Sequence, residues 1–312
     1  MEQLLLWCIV AVLITGVVLA GSWCVRQFAD RLSQRWDAEH REKYLNNMLW
    51  MLFSGADECA HCSESMSLRD KRIIVEDIAD LVDSTYGLDP EPLRKIVERQ
   101  KLEAFLLRRI RFSGGYRKAY YLHLLSRLPV SEKTVRAVER YTCSRNRYIR
   151  FSALSVQLMH DISSSSSIID AYSHKLSYFE LSEVLRILRQ NAQPIDYEPM
   201  VLSPNRNLRM LGLGVVWRFG IEDAEEILLR IIGENRPDES IGALYILCTL
   251  HSVITRPEVE KFVAEMNPAQ RRVLLRYIAR QGYSENALQV FIPEEEKRYY
   301  VSLVDSYKLN VG

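Results

Sequence analysis

An uncharged apolar segment at the N-terminus constrains this chain more than any other feature of its sequence. No residue between Glu2 and Arg26 is charged, and the 23 residues from position 3 are QLLLWCIVAVLITGVVLAGSWCV. A helix of that length measures about 34 Å, which is enough to cross a hydrocarbon core of about 30 Å. Trp7 and Trp23 lie near the two ends, where indole rings favour the membrane interface. The sequence therefore predicts a transmembrane anchor over residues 1–25.

A cleaved secretory signal is the alternative explanation for this segment, with Val18 and Ala20 as the small residues before the cleavage site. Two features oppose it: no Lys or Arg precedes the segment, and its length exceeds the roughly 7–15 apolar residues of a signal peptide. Positive residues follow the segment instead, namely Arg26, Arg31, Arg35, Arg41 and Lys43. Because Lys and Arg accumulate on the cytoplasmic side of a membrane, we expect a single-pass protein of the inner or plasma membrane. Its N-terminus is expected outside and its body in the cytoplasm.

The composition of the whole chain is typical of a helical protein. The chain contains 40 Leu and 31 Arg, but only 13 Gly and 10 Pro, the residues that interrupt helices. Apolar residues at helical spacing predict an all-α fold. After the anchor we expect a juxtamembrane helix and loop (26–67), a helical N-terminal cap (68–115), a set of helical repeats (116–292) and a C-terminal tail (293–312).

Local signals mark two helices within the expected cap. One is predicted over residues 68–86 by its stripe of apolar side chains. The next begins at Asp89-Pro90, since an Asp N-cap followed by Pro is a typical helix start. We expect this second helix to continue to Phe112, where Gly114-Gly115 ends it.

A repeated pattern follows from residue 116. Apolar helices are predicted at intervals of 29 to 31 residues, beginning near Ala119, Arg150, Glu180, Arg209, Ser240 and Arg271. A turn and a more polar helix follow most of them, and three have a small residue at the third step, namely Ala153, Gly212 and Ala243. A two-helix unit of this size cannot bury its apolar face alone and must stack against its neighbours. We interpret the serine run at 163–167 as a turn or cap between the paired helices of one unit.

These repeats resemble HEAT repeats, the two-helix units of one class of α-solenoid. The resemblance covers about residues 116–291 and is strongest in RMLGLGVVWRFGIEDAEEILLRII and SIGALYILCTL, with the helices that follow them. It implies an all-α solenoid, which offers an extended surface to macromolecular partners. Tetratricopeptide repeats are an alternative class, but their period of about 34 residues and their W…LG…Y pattern are missing. An irregular helical domain is the other alternative.

Motifs for catalysis and cofactor binding are absent from the sequence. It contains no G-x-x-x-x-G-K-[ST], G-x-G-x-x-G, G-x-S-x-G or H-E-x-x-H. Cys59, His61 and Cys62, within CAHC, are the weak candidate metal ligands. A closed zinc site needs four ligands, and no second pair follows at the usual spacing. Plain loop cysteines and a redox pair are the alternatives. We therefore expect a protein that is not an enzyme and holds no cofactor.

Charge is distributed unevenly along the chain. Residues 1–93 carry 8 basic and 15 acidic side chains, residues 94–150 carry 16 and 4, and residues 151–312 carry 17 and 21. We call residues 94–150 the basic block. Its candidate partner-binding residues are Arg94, Arg99, Arg108, Arg109, Arg111 and Arg117. Aromatic residues lie between these charges, and in a helical repeat we expect them in the core.

Four kinds of partner compete for the basic block. An acidic surface of another protein is attracted to it, and so are anionic lipid head groups, by about 1 kcal/mol for each Arg near the membrane surface. The acidic N-terminal residues of the same chain could also fold back onto it. Nucleic acid could bind its charges, but a membrane-tethered protein is poorly suited to search a genome. We favour another protein, and expect it to be an integral membrane protein.

Together these features predict a membrane-anchored cytoplasmic scaffold or accessory subunit that binds other proteins. An envelope polysaccharide synthase or glycosyltransferase machine is the partner to examine first, by analogy with other anchored repeat proteins. The alternative is a regulatory or sensor module. Such a module would use the basic block for lipid head groups, or the CAHC loop for a metal or thiol signal.

Overall fold

The computed structural model describes most of the chain as two compact helical units. The described residues are 23, 40–46, 48–49, 66–85, 89–190, 195–234, 236–250, 254, 256–281 and 294–309. We call Met1–His160 unit 1 and Asp161–Gly312 unit 2. Every regular element among the described residues is helical and none is a strand, which confirms the all-α fold class for this part of the chain.

The predicted transmembrane anchor, residues 1–25, lies outside the described residues except for Trp23. In the part of the chain that the structure describes, no helix has both the length and the apolar composition needed to span a membrane. Residues 40–46, within the predicted juxtamembrane helix, are helical. The anchor, the membrane location and the orientation therefore stay predictions.

Unit 1 is built from helices that share one core. They are α1 (Leu68–Ser84), α2 (Pro90–Arg99), α3 (Leu102–Phe112), α4 (Gly115–Ser126), α5 (Glu132–Glu139) and α6 (Arg147–His160). A short 3-10 helix, Arg140–Cys143, lies between α5 and α6. α4 packs most extensively against α6, and α3 packs against α4. Each of the six helices contributes buried residues to the core, among them Ile78, Leu106 and Leu125.

Local capping explains where α1 and α2 begin. The Ser67 hydroxyl accepts a hydrogen bond from the backbone N–H of Asp70 (3.2 Å), and the Asp70 carboxylate accepts one from the N–H of Ser67 (3.0 Å). α2 begins at Pro90, and the Asp89 carboxylate accepts a hydrogen bond from the N–H of Glu91 (3.0 Å). The helix start predicted from the Asp-Pro pair is therefore confirmed.

The prediction of one helix from Pro90 to Phe112 is wrong, because the chain turns at Lys101. This residue adopts φ 52° and ψ 42°, the left-handed conformation, and separates α2 from α3. Left-handed backbone is unfavourable for a residue with a β-carbon, so glycine normally marks such a turn. Here the burial of Gln100 and Leu102 on either side holds the turn in place. Neither Gly nor Pro is nearby, so the break has no signal in the sequence.

The helices of unit 2 follow the predicted repeat. They are α7 (Ser165–Asp170), α8 (Tyr178–Gln190), α9 (Glu198–Val201), α10 (Arg206–Phe219), α11 (Glu225–Gly233), α12 (Pro237–Thr249), α13 (Pro257–Glu265), α14 (Pro268–Arg280) and α15 (Glu294–Leu309). The first residues of α10, α12 and α14 are 206, 237 and 268, which are 31 residues apart. α10 packs against α8, α9 and α12, and α11 packs against α12 and α13.

Two local features of unit 2 differ from the expectation. The serine run at 163–167 is a turn only in its first part, because α7 begins at Ser165. Ser163 Oγ and the N–H of Ser164 both donate to the Asp161 carboxylate, which fixes the turn before α7. The expected C-terminal tail, 293–312, contains α15, which packs against α14 and buries Tyr300 and Val304.

The starts of two repeat helices, α6 and α10, share a hydrogen-bonding motif that spacing alone does not show. In unit 1, the Asn146 side chain accepts from the backbone at the start of α6, and Arg150 donates to the carbonyl of the Ser six residues earlier (2.8 Å). In unit 2, Asn205 caps α10 in the same way, and Arg209 donates to the carbonyl of the Ser six residues earlier (2.9 Å). The two sequences are SRNRYIR and SPNRNLR. Arg150 and Arg209 are both predicted repeat starts, so the spacing aligned equivalent residues.

Arg209 also joins α10 to α12. Its Nε and Nη2 donate to the two carboxylate oxygens of Glu239, at 2.9 and 2.8 Å. Burial of Glu239 opposes its ionisation, but the hydrogen bonds and charges of Arg209 and Arg236 outweigh burial and lower its pKa. Bidentate pairs of this kind fix geometry as well as adding energy. This pair therefore sets the register between successive repeat helices.

α9 and α10 approach each other closely at Gly212. A β-carbon on Gly212 would lie 2.6 Å from Val201 Cγ2 and 2.9 Å from the backbone nitrogen of Val201. The backbone of Val201 cannot move aside as a flexible side chain can. Any side chain at position 212 would therefore force α9 and α10 apart. The expectation that a small residue here permits close packing is confirmed. Ala153 and Ala243, at the equivalent step, are fully buried.

We expect Gly212→Ala to lower the free energy of unfolding by about 1–3 kcal/mol, because the added methyl group overpacks the contact with Val201. Gly242→Ala in α12 is the matched control, since its β-carbon would lie 3.7 Å from Leu213 Cδ1, an ordinary contact. Alanine is favoured over glycine in a helix by about 1 kcal/mol, so the control should be neutral or stabilising. Urea unfolding of the full-length protein in detergent solution, followed by circular dichroism, measures both. Equal effects of the two substitutions would contradict the close approach.

Candidate functional site

The six predicted partner-binding arginines lie on three consecutive helices of unit 1. Arg94 and Arg99 belong to α2, Arg108, Arg109 and Arg111 to α3, and Arg117 to α4. All six residues are exposed. α3 and α4 pack against each other, and only Ser113 and Gly114 lie between them. The last four arginines therefore lie on the two helices that meet at a single corner.

A pair of glycines forms this corner. Gly115, the first residue of α4, has a φ of 51°, in the left-handed region that favours glycine. Apart from the chain neighbours, nothing lies within 4 Å of a β-carbon built on Gly114 or Gly115, so the corner is open to solvent. We call the following set the corner surface: Arg108, Arg109, Arg111, Phe112, Tyr116 and Arg117.

The arginines of the corner surface have no acidic partners in the described part of the chain. No described carboxylate lies within ion-pair distance of Arg108, Arg109, Arg111 or Arg117. Arg94 differs, because its guanidinium lies 2.8 Å from Glu91 on the same helix. No acidic side chain in the described ranges therefore compensates the positive charge at the corner.

Two aromatic side chains project from the same corner. Phe112 is 77% exposed and Tyr116 is 80% exposed. The expectation that the aromatic residues of the basic block lie in the core is wrong for this pair and for Tyr148, which is 65% exposed, whereas it is confirmed for Phe105, which is buried. Arg111 stacks over the Phe112 ring at 5.8 Å from its centre. The position of these two aromatics in the sequence is the feature that indicates their exposure. Both lie beside the Gly114-Gly115 corner, where no further residues of the same helix cover a side chain.

The acidic residues of α1 bind cations that do not belong to the corner surface. Arg41 lies 3.0 Å from Glu76, 3.3 Å from Asp77 and 3.7 Å from Asp80. Arg72, one turn before Glu76, donates to the same carboxylate (2.8 Å). These contacts connect residues 40–46 to α1 and neutralise much of the acidic face of that helix.

The basic block supplies two further contacts to α1. Arg127, at the end of α4, lies 2.9 Å from Asp83, and the Tyr120 hydroxyl donates to Glu76 (2.7 Å). The acidic and basic blocks therefore meet inside unit 1, as the fold-back alternative predicts. The described contacts between them include those of Tyr120 and Arg127, and none of the described contacts involves an arginine of the corner surface.

Asp77 is the buried carboxylate of this cluster, with 5% of the residue exposed. Burial raises the pKa of Asp77 from 3.8 to about 6, against the opposing charge of Arg41, and the charges of Asp80 and Glu76 raise it further. Burial also raises the pKa of Tyr120 to about 12, with a smaller contribution from its hydrogen bond to Glu76. The charged groups of this cluster are therefore only partly solvated.

The candidate metal ligands Cys59, His61 and Cys62 lie outside the described residues. Among the residues that are described, no three His, Cys, Asp or Glu side chains are grouped as metal ligands. Cys143 is exposed and Cys248 is buried, and neither forms a disulfide. Burial raises the pKa of the Cys248 thiol to about 12, which keeps it protonated and unreactive. A metal at CAHC, the absence of a cofactor and the absence of enzymatic activity stay predictions.

Comparison with known proteins gives little further information. No protein family model matches the chain, and no curated protein matches it. Among solved structures, the chain is similar to one described as the complex of CpcE and CpcF of phycocyanin lyase from Nostoc sp. PCC7120. The sequence identity is 12%, the match covers 81% of this chain and 98% of that chain, and the TM-score is 0.29. With so low a TM-score, the similarity supports no inference about fold, activity or partners.

We expect the stability of the protein to depend on pH through Asp77. Its pKa is about 6 in the folded protein and near 3.8 in the unfolded chain, so the folded state binds more protons between these values. Stability contributed by this group is therefore lost as the pH rises through about 6. The wild type should gain stability relative to Asp77→Asn as the pH falls from about 7.5 to about 4.5. Thermal unfolding of both proteins over this range measures the difference, and a constant gap between their melting temperatures would contradict the raised pKa.

Proposed function

We propose that this protein is a membrane-anchored scaffold or accessory subunit with HEAT-like repeats, and that it binds another protein through the corner surface of unit 1. One observation carries the proposal. Four arginines without described acidic partners lie on the same two helices as two aromatic side chains that are 77% and 80% exposed. An exposed cluster of this composition is far more useful to an interface than to the fold.

The chemistry of the corner surface suits a protein partner. Arginine and aromatic side chains account for much of the binding energy at protein interfaces. Burial of Phe112 or Tyr116 by a partner contributes about 2–3 kcal/mol for each side chain. The guanidinium groups steer an acidic partner towards the corner and fix its orientation. The carboxylates of α1 do not compete for these groups, because Arg41, Arg72 and Arg127 lie beside them.

An integral membrane protein is the partner that we propose. The predicted anchor tethers unit 1 to the membrane and raises its effective concentration near proteins of the same membrane. An envelope polysaccharide synthase or glycosyltransferase machine is the class to test first, by analogy with other anchored repeat proteins. The scaffold would contribute binding and positioning, and the partner would contribute the chemistry.

Reversal of the four corner charges, in R108E/R109E/R111E/R117E, should abolish co-purification of the partner from native membranes. Repulsion between the new carboxylates and an acidic partner replaces the original attraction. The measurement is the molar ratio of partner to tagged full-length protein in mild detergent, by quantitative mass spectrometry. We expect this ratio to fall by at least about tenfold, which corresponds to about 1.4 kcal/mol.

The matched control reverses four exposed arginines of unit 2, in R218E/R230E/R280E/R298E. It changes the net charge by the same amount and should leave the partner bound. Circular dichroism and thermal unfolding establish that both variants fold. If the corner variant retains the partner, or if both variants lose it equally, the corner surface is not the docking site.

Binding of the corner surface to anionic lipid is the second candidate function. The observation that favours it is the stacking of Arg111 on the exposed Phe112, since aromatic rings prefer the membrane interface and arginine binds anionic head groups. Full-length Tyr116→Cys in nanodiscs separates the two candidates. Lipid binding would protect this thiol from a membrane-impermeant maleimide in anionic nanodiscs but not in neutral ones. Equal labelling in both lipids favours the protein partner.

A further inference from the structure

A cavity in unit 2 is lined by hydroxyl and carboxylate groups. Its volume is about 520 Å³, and it lies among the turn before α7, α7 itself, the end of α8, α9 and the start of α10. The polar lining consists of five serines, including Ser165 and Ser166, and of Asp170 and Asp196. No Lys, Arg or His is present among the described lining residues. Binding sites for small ligands typically have volumes of about 300–1,000 Å³, so this cavity is large enough for a ligand.

The length of the helices around the cavity explains why it exists. α7 has six residues and α9 has four, whereas α11 and α13, the shorter helices of the later repeats, have nine each. Short helices cover less of the neighbouring repeat helix. The uncovered space at this place in unit 2 is the cavity.

Ser165 points to a ligand, because it lines the cavity and its hydroxyl has no hydrogen-bond partner among the described residues. The residue is 7% exposed, and its Oγ forms no hydrogen bond among the described residues. A serine hydroxyl that faces a cavity can both donate a hydrogen bond to a bound molecule and accept one from it. Since Ser165 lines the cavity, a group inside the cavity is the natural partner for its Oγ.

The two carboxylates each keep an acceptor oxygen for a ligand. Asp170 Oδ1 accepts a hydrogen bond from the side chain of Asn205 (3.2 Å), and Asp196 Oδ1 accepts one from the backbone N–H of Glu198 (3.3 Å). These bonds hold the carboxylates in place. The second oxygen of each carboxylate has no hydrogen bond from a described residue.

We propose that this cavity binds a neutral sugar of one or two rings. Sugar hydroxyls donate to carboxylates and exchange hydrogen bonds with serine hydroxyls, while apolar side chains such as Ile162, Leu188 and Met200 contact the C–H faces of the ring. Two carboxylates without a neighbouring cation repel phosphate and other anions. A quaternary ammonium ligand normally needs aromatic walls, and no aromatic residue is among the described lining. The site lies in unit 2 and is independent of the corner surface.

Saturation-transfer difference NMR tests this binding on the full-length protein, in a detergent without a sugar head group. The probes are D-glucose, D-galactose, N-acetyl-D-glucosamine and cellobiose. At least one probe receives saturation from the wild type, and Asp196→Asn weakens its binding about tenfold, as loss of a charge-assisted acceptor requires. Asp305→Asn, an exposed position on α15, is the matched control and binds as the wild type does. No signal from any of the four probes, or equal weakening by both substitutions, overturns the proposal.

A thiol at position 165 provides a second measurement that does not depend on the NMR signal. Ser165→Cys changes the side chain by one atom, so the fold is retained. The small neutral reagent methyl methanethiosulfonate should modify this thiol, and the probe sugar that binds should slow the reaction severalfold. Mass spectrometry of the peptide that contains residue 165 separates its modification from that of other cysteines. A thiol that stays unmodified, or one that no probe protects, overturns the proposal.

Discussion

Ion pairing on α1 separates the described cations of unit 1 into those that lie beside its carboxylates and those that do not. Arg41 lies beside Asp77, Arg127 lies beside Asp83, and both contacts involve a side chain that is almost completely buried. The other member of each pair is partly exposed, and both cations lie beside carboxylates of α1. The arginines of the corner surface have no such contact with a carboxylate of the described residues. The proposal that a partner protein binds there depends on this difference.

Unit 2 depends on a different kind of contact, in which each repeat helix is fixed to the next. Arg209 donates a hydrogen bond to the carbonyl of Ser203 in the turn before α10, and it also donates to Glu239 on α12. One side chain therefore fixes both this turn and the register between α10 and α12. Gly212 lets α9 approach the backbone of α10. Where the second helix of a repeat is short, as in α7 and α9, the same framework leaves a cavity. The regular spacing of the repeat helices therefore explains the architecture of unit 2, and the short helices α7 and α9 explain the cavity.

The parts of the fold that follow from periodicity and capping could be predicted from the sequence. The spacing located the repeat helices, and Asp89-Pro90 located the start of α2. Tertiary contacts decide the features that the sequence did not show: Lys101 is left-handed because its neighbours are buried, and Phe112 is exposed because it lies at a corner. For the site, composition identified the arginines. Whether an arginine has an acidic partner depends on contacts between residues that are far apart in the sequence, such as Arg127 and Asp83. The spacing of residues along the chain does not predict such contacts.

Site-specific photo-crosslinking in native membranes tests the docking surface most directly. p-Benzoylphenylalanine replaces Tyr116 of the corner surface in one version of the full-length protein and Tyr178, an exposed tyrosine of unit 2, in the other. We expect light to produce an adduct between position 116 and one membrane protein, and we expect position 178 not to give this adduct. An adduct of position 116 with lipid alone, or no adduct at that position, would show that this corner does not bind a partner protein.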